Sequence, residues 1–182
     1  MKFIPTHLPD VIHVQPRVFE DGRGFFFETY RKDRFSQSGI VANFLQDNHS
    51  ASTKGVLRGL HYQIRQPQGK LVRVIIGEVF DVAVDLRRSS RTFGRWVGAL
   101  LSAEKKNQLW VPPGFAHGFY VMSEQAEILY KATDYYAPQW ERCLLWNDPA
   151  LGIDWPIINS ELPILSEKDA KGALLSDAET YD

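Results

Sequence analysis

The sequence contains a single cysteine, Cys143, among its 182 residues. One cysteine cannot form an internal disulfide, and it excludes metal sites that are built from several cysteines. Residues 1–10 lack the apolar core of a secretory signal, and no apolar run approaches the length of a membrane span. These absences predict a cytoplasmic protein that makes no contact with a membrane.

A strong charge of either sign is also missing. The formal net charge is -1, so no overall field would attract nucleic acid or an anionic membrane. A net charge close to zero is still compatible with a local basic pocket for a small phosphate ligand. The length suits one domain with a full core, and repeats, low-complexity tracts and linkers are absent, so we expect a single domain over residues 1–182.

Signals for helices are few. Residues 31–38 could form one short helix that Gly39 ends. Ser166 suits the N-cap of a second helix, with Asp169 three positions later. Short apolar runs separated by Gly, Pro, Asn and Asp dominate instead, and they predict an all-β fold, with a double-sheet jelly roll as the first choice and a different β-sandwich as the alternative.

The alternation of a strand is clearest at residues 78–86. Phe80, Val82, Val84 and Leu86 share one face, and Val79, Asp81, Ala83 and Asp85 share the other. Further predicted strands are 71–76, joined to 78–86 by a tight turn at 77–78, then 109–112 and 117–122 on either side of a Pro-Pro-Gly turn, and 127–136, with Tyr130 and Tyr136 on one face.

Five histidines are the first residues to consider for chemistry. His7 and His13 have no other candidate catalytic or binding residues near them in the sequence. We therefore interpret both as ordinary residues of the N-terminal segment. His49 lies in a polar loop, 46–50, which could bind a ligand or simply be solvated. His61 and His117 lie in strand-like segments, and together in a barrel with an interior cavity they become plausible site residues, although either alone is more often a satisfied core histidine.

The segments around these two histidines resemble the two cupin motifs, 58–61 for the first and 112–117 for the second. Metal-binding cupins carry two histidines separated by one residue, and a glutamate, in the first motif. Here Gln63 takes the place of the second histidine, and 64–70 contains no glutamate. Two imidazoles without a carboxylate or thiolate make a poor transition-metal site, so we expect a cupin with no metal and no other cofactor.

Four side chains would suit proton transfer beside a carbonyl. A neutral His61 could accept a carbon-bound proton, Asp169 could fix its tautomer, Lys70 could stabilise the enolate, and Tyr130 could return a proton from the opposite face. Lys70 is expected to open the strand next to that of His61. Three of these residues also have an ordinary structural interpretation. Lys70 could be a solvated lysine, Tyr130 a core tyrosine, and Asp169 a carboxylate favoured by a helix terminus.

Segments along nearly the whole chain resemble the dTDP-4-dehydrorhamnose 3,5-epimerases. The most specific are GVLRGLHYQ (55–63) and VPPGFAHGF (111–119), and the others are DGRGFF (21–26), QDNHS (46–50), QGKLVR (68–73), GEVFDVAVD (77–85), YKATDYY (130–136), WNDP (146–149) and LSEKD (165–169). The resemblance implies inversion at C3 and C5 of a dTDP-4-dehydro-6-deoxyglucose, with His61 as base, Asp169 as its partner, Tyr130 as acid and Lys70 at the sugar carbonyl.

The resemblance also implies a set of residues that bind the dTDP-sugar, with Tyr136 stacking on thymine. The set is Arg23, Phe26, Glu28, Gln46, Asp47, Asn48, Arg58, His117, Tyr136, Glu141 and Lys168. It further implies a homodimer in which N-terminal strands of one subunit reach into the other, so that Arg23 and Glu28 would serve the neighbouring site. The loop 64–69 between His61 and Lys70 is short, and its length affects how far the side chain of Lys70 can reach into the site.

Three rival interpretations stay open on the sequence. A mono-epimerase or ketoisomerase would act on a related dTDP-deoxysugar with the same residues. A metal-dependent cupin is disfavoured by Gln63 and by the missing glutamate. A sugar-nucleotide binding module would leave the base, carboxylate, lysine and tyrosine without a purpose.

Overall fold

The computed structural model describes residues 1–157 and 161–182, in which the chain forms 13 strands and two short α-helices. The strands are β1 (Lys2–Pro5), β2 (Ile12–Gln15), β3 (Val18–Asp21), β4 (Gly24–Phe27), β5 (Gln46–Thr53), β6 (Leu57–Gln63), β7 (Lys70–Ile76), β8 (Glu78–Asp85), β9 (Trp96–Ser102), β10 (Gln108–Val111), β11 (Phe115–Val121), β12 (Gln125–Ala132) and β13 (Glu141–Cys143). The helices are α1 (Lys32–Gln37) and α2 (Glu167–Ala170).

Two antiparallel sheets pack face to face around the main core. The six-stranded sheet has the order β1-β2-β10-β7-β12-β5, and the five-stranded sheet has the order β13-β6-β11-β8-β9. Their inner faces bury one apolar cluster that includes Val72, Leu109, Val79, Ala83 and Phe119. This arrangement confirms the expected all-β fold, a cupin-like jelly roll with few and short helices.

The alternation predicted for 78–86 is confirmed in β8. Val79 and Ala83 face the core between the sheets. Val82 and Val84 face outward, where they pack with Trp155 and other residues of the C-terminal segment. Both faces of this strand are therefore buried, which explains why it reads as a nearly continuous apolar run.

Gly77 alone connects β7 to β8. Its φ is +77°, and a Cβ at this position would lie 2.0 Å from the carbonyl oxygen of Gln125, so a side chain cannot be accommodated. The tight turn predicted here is present, but it joins strands of different sheets and not a hairpin. The glycine therefore passes the chain from one wall of the barrel to the other.

Two predictions about the strands were wrong in detail. The segment 46–50, expected as a polar loop, opens β5, because pairing with β12 satisfies its backbone groups despite its polar composition. The predicted strand 127–136 ends at Ala132, which pairs with Gln46 and Lys70, the residues at which the two partner strands begin. Tyr136 consequently lies outside the strand.

The predicted helix at 31–38 is confirmed as α1, which buries Phe35 against Ile40 and Trp110 on the outer face of the six-stranded sheet. Gly39 follows it with a φ of +90°. Among the described residues, none of the helices has the length and apolarity needed to cross a membrane.

Candidate active site

His61 and Asp169 form the closest polar pair in the barrel interior. His61 lies on β6 and Asp169 on α2, and the Nε2 of His61 lies 2.5 Å from Oδ1 of Asp169. The carboxylate is almost fully buried, whereas the imidazole side chain keeps 25% of its exposure. The ring nitrogen that does not face Asp169 is therefore the one available to a ligand.

Ser166 sets the position of Asp169. As the predicted N-cap of α2, its hydroxyl accepts a hydrogen bond from the backbone N–H of Asp169 at 3.2 Å. The same hydroxyl donates to Oδ2 of Asp169 at 2.6 Å, and the N–H of Gly59 donates to Oδ1 at 3.3 Å. Three donors, counting His61, thus hold the carboxylate in one orientation.

The ionisation of the pair follows from these contacts. Burial acts to raise the pKa of Asp169, but the hydrogen bonds from His61 and Ser166 outweigh it and bring the pKa to about 2. Burial lowers the pKa of His61 below its usual value, more than the hydrogen bond to Asp169 raises it, and Lys168 lowers it further. At neutral pH the pair is therefore a neutral imidazole beside a carboxylate.

Lys70 is a buried ammonium close to this pair. Its Nζ donates to the backbone carbonyl of His61 at 3.4 Å. Burial lowers the pKa of Lys70 to about 8, with Asp81 and Glu141 acting in the opposite direction. Lys70 does open a strand, but β7 belongs to the sheet opposite that of His61, so the predicted placement on a neighbouring strand was wrong. The side chain reaches His61 across the barrel, and not along one sheet.

Tyr130 lies on β12, in the sheet opposite His61, and packs against the core between the sheets. Burial raises the pKa of its phenol, while the positive charge of Arg58 lowers it by less. The phenol is therefore protonated at neutral pH. We refer to His61, Asp169, Lys70 and Tyr130 as the central cluster.

His117 and Asp81 form a second buried pair beside the central cluster. His117 lies opposite His61 in the register of β11 and β6, and its Nε2 is 2.9 Å from Oδ1 of Asp81. The sequence singled out His117 and gave Asp81 no role. A charged residue on the inward face of β8, between Val79 and Ala83, was the signal that it has a buried partner.

Glu141 links two other residues that are expected to bind a nucleotide-sugar, Lys168 and Tyr136. It accepts hydrogen bonds from Nζ of Lys168 at 2.8 Å and from the hydroxyl of Tyr136 at 3.1 Å. The backbone N–H of Tyr136 donates to the side chain of Gln46 at 2.9 Å, and Gln46 donates in turn to Asn48. The charges of Glu141 and Lys168 act on the central cluster, so this network borders it.

Two further predicted binding residues are more exposed. Arg58, on the same strand as His61, donates to the hydroxyl of Ser52 at 2.9 Å and acts electrostatically on Tyr130. Asp47 alternates with Gln46 and Asn48 on β5 and pairs with Lys131 at 3.0 Å. Within one chain, Asp47 therefore points to the face of the sheet away from the central cluster.

Arg23, Phe26 and Glu28 are not brought to the central cluster within one chain. Arg23 and Phe26 belong to the separate β3–β4 hairpin, where Arg23 pairs with Asp21 and Phe26 is 70% exposed. Glu28 follows this hairpin and pairs with Arg31 at 3.5 Å. Within one chain, these three residues therefore lie outside the central cluster.

Gln63 occupies the place of the second histidine of metal-binding cupins. Its amide accepts from the backbone N–H of Ala137 at 2.8 Å and donates to the carbonyls of Gln66 and Tyr135. The side chain therefore ties two loops together and is not free to act as a ligand. The absence of a resident metal in this protein stays a prediction.

Comparisons with known proteins agree on one family. The family model for dTDP-4-dehydrorhamnose 3,5-epimerase matches residues 5–177. A protein of that description from Pseudomonas aeruginosa is 61% identical over 182 residues, covering 100% of this chain and 99% of its own. The crystal structure of dTDP-6-deoxy-D-glucose-3,5-epimerase RmlC from Legionella pneumophila, in complex with dTDP-4-keto-L-rhamnose, is 51% identical, with a TM-score of 0.94 over 98% of this chain and 94% of that one.

A more distant structural relative differs in its described activity. ChmJ from Streptomyces bikiniensis, described as a 3'-monoepimerase and solved with dTDP-quinovose, is 31% identical, with a TM-score of 0.87 over 94% of this chain and 87% of its own. Proteins described as single and as double epimerases therefore share this fold.

Proposed function

The chain belongs to the dTDP-4-dehydrorhamnose 3,5-epimerase family, and on this basis we propose that its central cluster inverts C3 and C5 of dTDP-4-dehydro-6-deoxy-D-glucose, giving dTDP-4-dehydro-β-L-rhamnose for dTDP-L-rhamnose biosynthesis. The protein is thus an isomerase of the epimerase class. One observation carries the mechanism: His61 and Tyr130 lie on opposite sheets of one barrel, with the ammonium of Lys70 beside the strand of His61.

In the first step, His61 removes the proton from a carbon next to the C4 ketone. The neutral imidazole supplies a lone pair on the nitrogen that does not face Asp169. Asp169, held as an anion by its donors, stabilises the imidazolium that forms. General-base catalysis of this kind contributes about 10²- to 10⁴-fold to a rate.

The electron pair left by the C–H bond moves into the C4 carbonyl and makes an enolate. The ammonium of Lys70 stabilises the negative charge on that oxygen, and the charge is effective because the site is buried. A fixed donor at such an oxygen contributes about 10²- to 10³-fold.

In the last step of each inversion, the phenol of Tyr130 gives its proton to the same carbon from the opposite side. The raised pKa keeps the phenol protonated until the carbanion forms. The Tyr130 phenolate then regains a proton from solvent, and His61 loses the proton it took. Delivery from the opposite wall of the barrel inverts the centre instead of restoring it.

The residues around Glu141 suit the rest of the ligand. Arg58 and Lys168 carry charges that suit a diphosphate. Tyr136 offers an aromatic face for thymine, and its hydroxyl is fixed by Glu141. Gln46, Asn48 and His117 complete the proposed binding set for this subunit, and Asp47 stays a prediction because its side chain faces away.

We also propose that the protein is a homodimer whose N-terminal strands are exchanged. Support comes from the β3–β4 hairpin, which exposes Phe19, Phe25 and Phe26 to 50%, 61% and 70%. Such an apolar patch is typical of a surface that a second chain covers. A cytoplasmic location likewise stays a prediction from the sequence.

Mixed dimers would test the exchange. Arg23→Ala and His61→Ala should each be nearly inactive alone, and mixing them after mild dissociation should restore activity, since an intact His61 then meets Arg23 of the partner subunit. The control is Lys171→Ala mixed with His61→Ala, because Lys171 is an exposed residue that directly follows α2 and pairs with Glu167. An Arg23→Ala variant that no mixture rescues would contradict exchange.

The reaction itself is tested by NMR of the full chain with dTDP-4-dehydro-6-deoxyglucose in D₂O, with EDTA present. Deuterium at both C3 and C5, with an L-configured product trapped by a downstream reductase, is the expected result. Exchange at one carbon would support a mono-epimerase, the alternative favoured by the likeness to ChmJ. No exchange at either carbon would refute the mechanism.

A further inference from the structure

Cys143 lies beside the catalytic pair without a part in the mechanism. In the register of β13 and β6 it stands directly opposite His61, and residues opposite one another in antiparallel strands direct their side chains to the same face. The thiol makes one long hydrogen bond, to the carbonyl of Leu144 at 3.4 Å. Burial raises its pKa to about 12, so the free thiol is a poor nucleophile, which argues against a covalent role.

The thiol nevertheless completes a set of metal-ligating atoms. A ring nitrogen of His61, the sulfur of Cys143 and a carboxylate oxygen of Asp169 all lie within 4.8 Å of one another. They come from three elements, β6, β13 and α2, so the set depends on the tertiary fold. Imidazole, thiolate and carboxylate are the ligands that zinc takes in proteins, and three protein ligands leave a fourth coordination position open.

The geometry needs only a small adjustment. Zinc bonds of about 2.1 Å to nitrogen and about 2.3 Å to sulfur place neighbouring ligands of a tetrahedral site about 3.5 Å apart. The contact between His61 and Asp169 at 2.5 Å would have to open by roughly 1 Å. The sulfur of Cys143 lies within 4.8 Å of both other ligand atoms and would have to approach them by at most about 1 Å.

We propose that this pocket is an inhibitory zinc site, in which Zn²⁺ is held by His61, Cys143 and Asp169. The ion takes the place of the proton between Nε2 of His61 and Asp169, this proton moves to the other ring nitrogen, and the thiol of Cys143 releases its proton to solvent as the Zn–S bond forms. The nitrogen that would accept the sugar proton is then protonated, so His61 cannot act as the base. The loss of activity rests on the proposed function, whereas the binding of the metal does not.

The charged side chains around the pocket predict a moderate affinity for Zn²⁺. Asp169 and Glu141 attract a divalent ion, and Lys70 and Lys168 repel it. The proposed site therefore differs from a structural zinc centre, in which protein ligands fill all four coordination positions. The enzyme should be isolated largely free of metal and should respond to added zinc.

The first test measures metal binding without substrate. The full chain, treated with EDTA and dialysed, is titrated with Co²⁺ and followed by visible and near-ultraviolet absorption. We expect one equivalent of cobalt with a thiolate-to-cobalt charge-transfer band, and Zn²⁺ should displace it. Cys143→Ser and Cys143→Ala should lose the band and bind zinc at least about tenfold more weakly, because the thiolate is the softest donor of the three.

The second test measures activity. Zinc should inhibit deuterium exchange by the parent chain, and EDTA should reverse the inhibition. Both Cys143 variants should keep the parent activity in EDTA and need at least about tenfold more zinc for the same inhibition. His49→Ala is the matched control, because His49 is an exposed histidine paired with Glu127 and away from the pocket, and its zinc sensitivity should equal that of the parent.

The outcomes separate this proposal from the proposed function. A cobalt spectrum without the charge-transfer band, or Cys143 variants as sensitive to zinc as the parent, would overturn the zinc site. Cobalt binding through Cys143 in a chain that shows no deuterium exchange would support the site and contradict the epimerase mechanism alone.

Discussion

The buried ammonium of Lys70 offers the sharpest single test of the mechanism. Methionine has nearly the length and volume of lysine but no charge, so Lys70→Met keeps the packing and removes only the ammonium. We expect a variant that is more stable than the parent and almost inactive.

The size of the stability gain follows from the pKa. Burial lowers the pKa of Lys70 from 10.5 to about 8, and at about 1.4 kcal/mol for each pH unit this corresponds to a cost of roughly 3 kcal/mol for keeping the ammonium in the barrel. The cost is complete below about pH 8, where lysine is charged in both the folded and unfolded chains. Between pH 8 and 10.5 the unfolded chain binds more protons, so the parent regains stability as the pH rises.

The expected loss of activity comes from the enolate. Without the ammonium, deuterium exchange should slow by about 10²- to 10³-fold. In the parent, exchange should fall as the pH rises through about 8 and Lys70 loses its proton, and this alkaline limb should be absent in the variant.

The assay pairs urea unfolding at pH 7 and pH 10 with NMR exchange rates over the same range. Lys171→Met is the control, because Lys171 is exposed and its ion pair with Glu167 lies on the surface, so neither stability nor rate should change much. A Lys70→Met variant that is stabilised and still fully active would refute the role given to Lys70. A variant that is less stable than the parent would refute the energetic reasoning.

Three further substitutions test other parts of the structure. Tyr130→Phe should keep deuterium exchange within about tenfold but lose product formation by about 10²-fold or more, and equal losses in both measurements would contradict its role as the acid. Asp169→Asn should reduce exchange by about 10²- to 10⁴-fold with an unchanged circular dichroism spectrum, because an amide cannot fix the imidazole as the carboxylate does. Asp85→Asn should unfold about 3 kcal/mol more easily, since it breaks a buried pair with Arg87 at 2.8 Å. The pKa of Asp85 is about 2, so the difference between this variant and the parent should shrink as the pH falls below 3.8 toward 2, and a difference that stayed constant would contradict the assignment.

Much of the fold was accessible from the sequence because local pattern and tertiary environment agree. In β8, alternating apolar side chains are buried on both faces, and in α2 the cap at Ser166 forms as expected. The segment at 46–50 escaped prediction because its pairing with β12 depends on residues about 80 positions away, which composition does not reveal.

The site was accessible only in part. Resemblance placed His61 and Asp169 in one reaction, and the structure brings them into contact. The prediction that Lys70 lies on a strand next to that of His61 was wrong, because the loop 64–69 carries the chain from β6 in one sheet to β7 in the other. Asp81 and Cys143 were passed over because their partners, His117 and His61, are set by strand register and not by distance in sequence.

The position of Asp169 after the last strand of the barrel has a consequence for synthesis. The last strand of the barrel ends at Cys143, and the carboxylate that orients His61 follows only with α2. All strands of both sheets are therefore synthesised while the base still has no partner and before the residues that cover the outer face of β8 have been made. Chemistry begins only when the segment that carries α2 docks, so chains truncated before Asp169 would be inactive and would leave part of the apolar outer face of β8 uncovered.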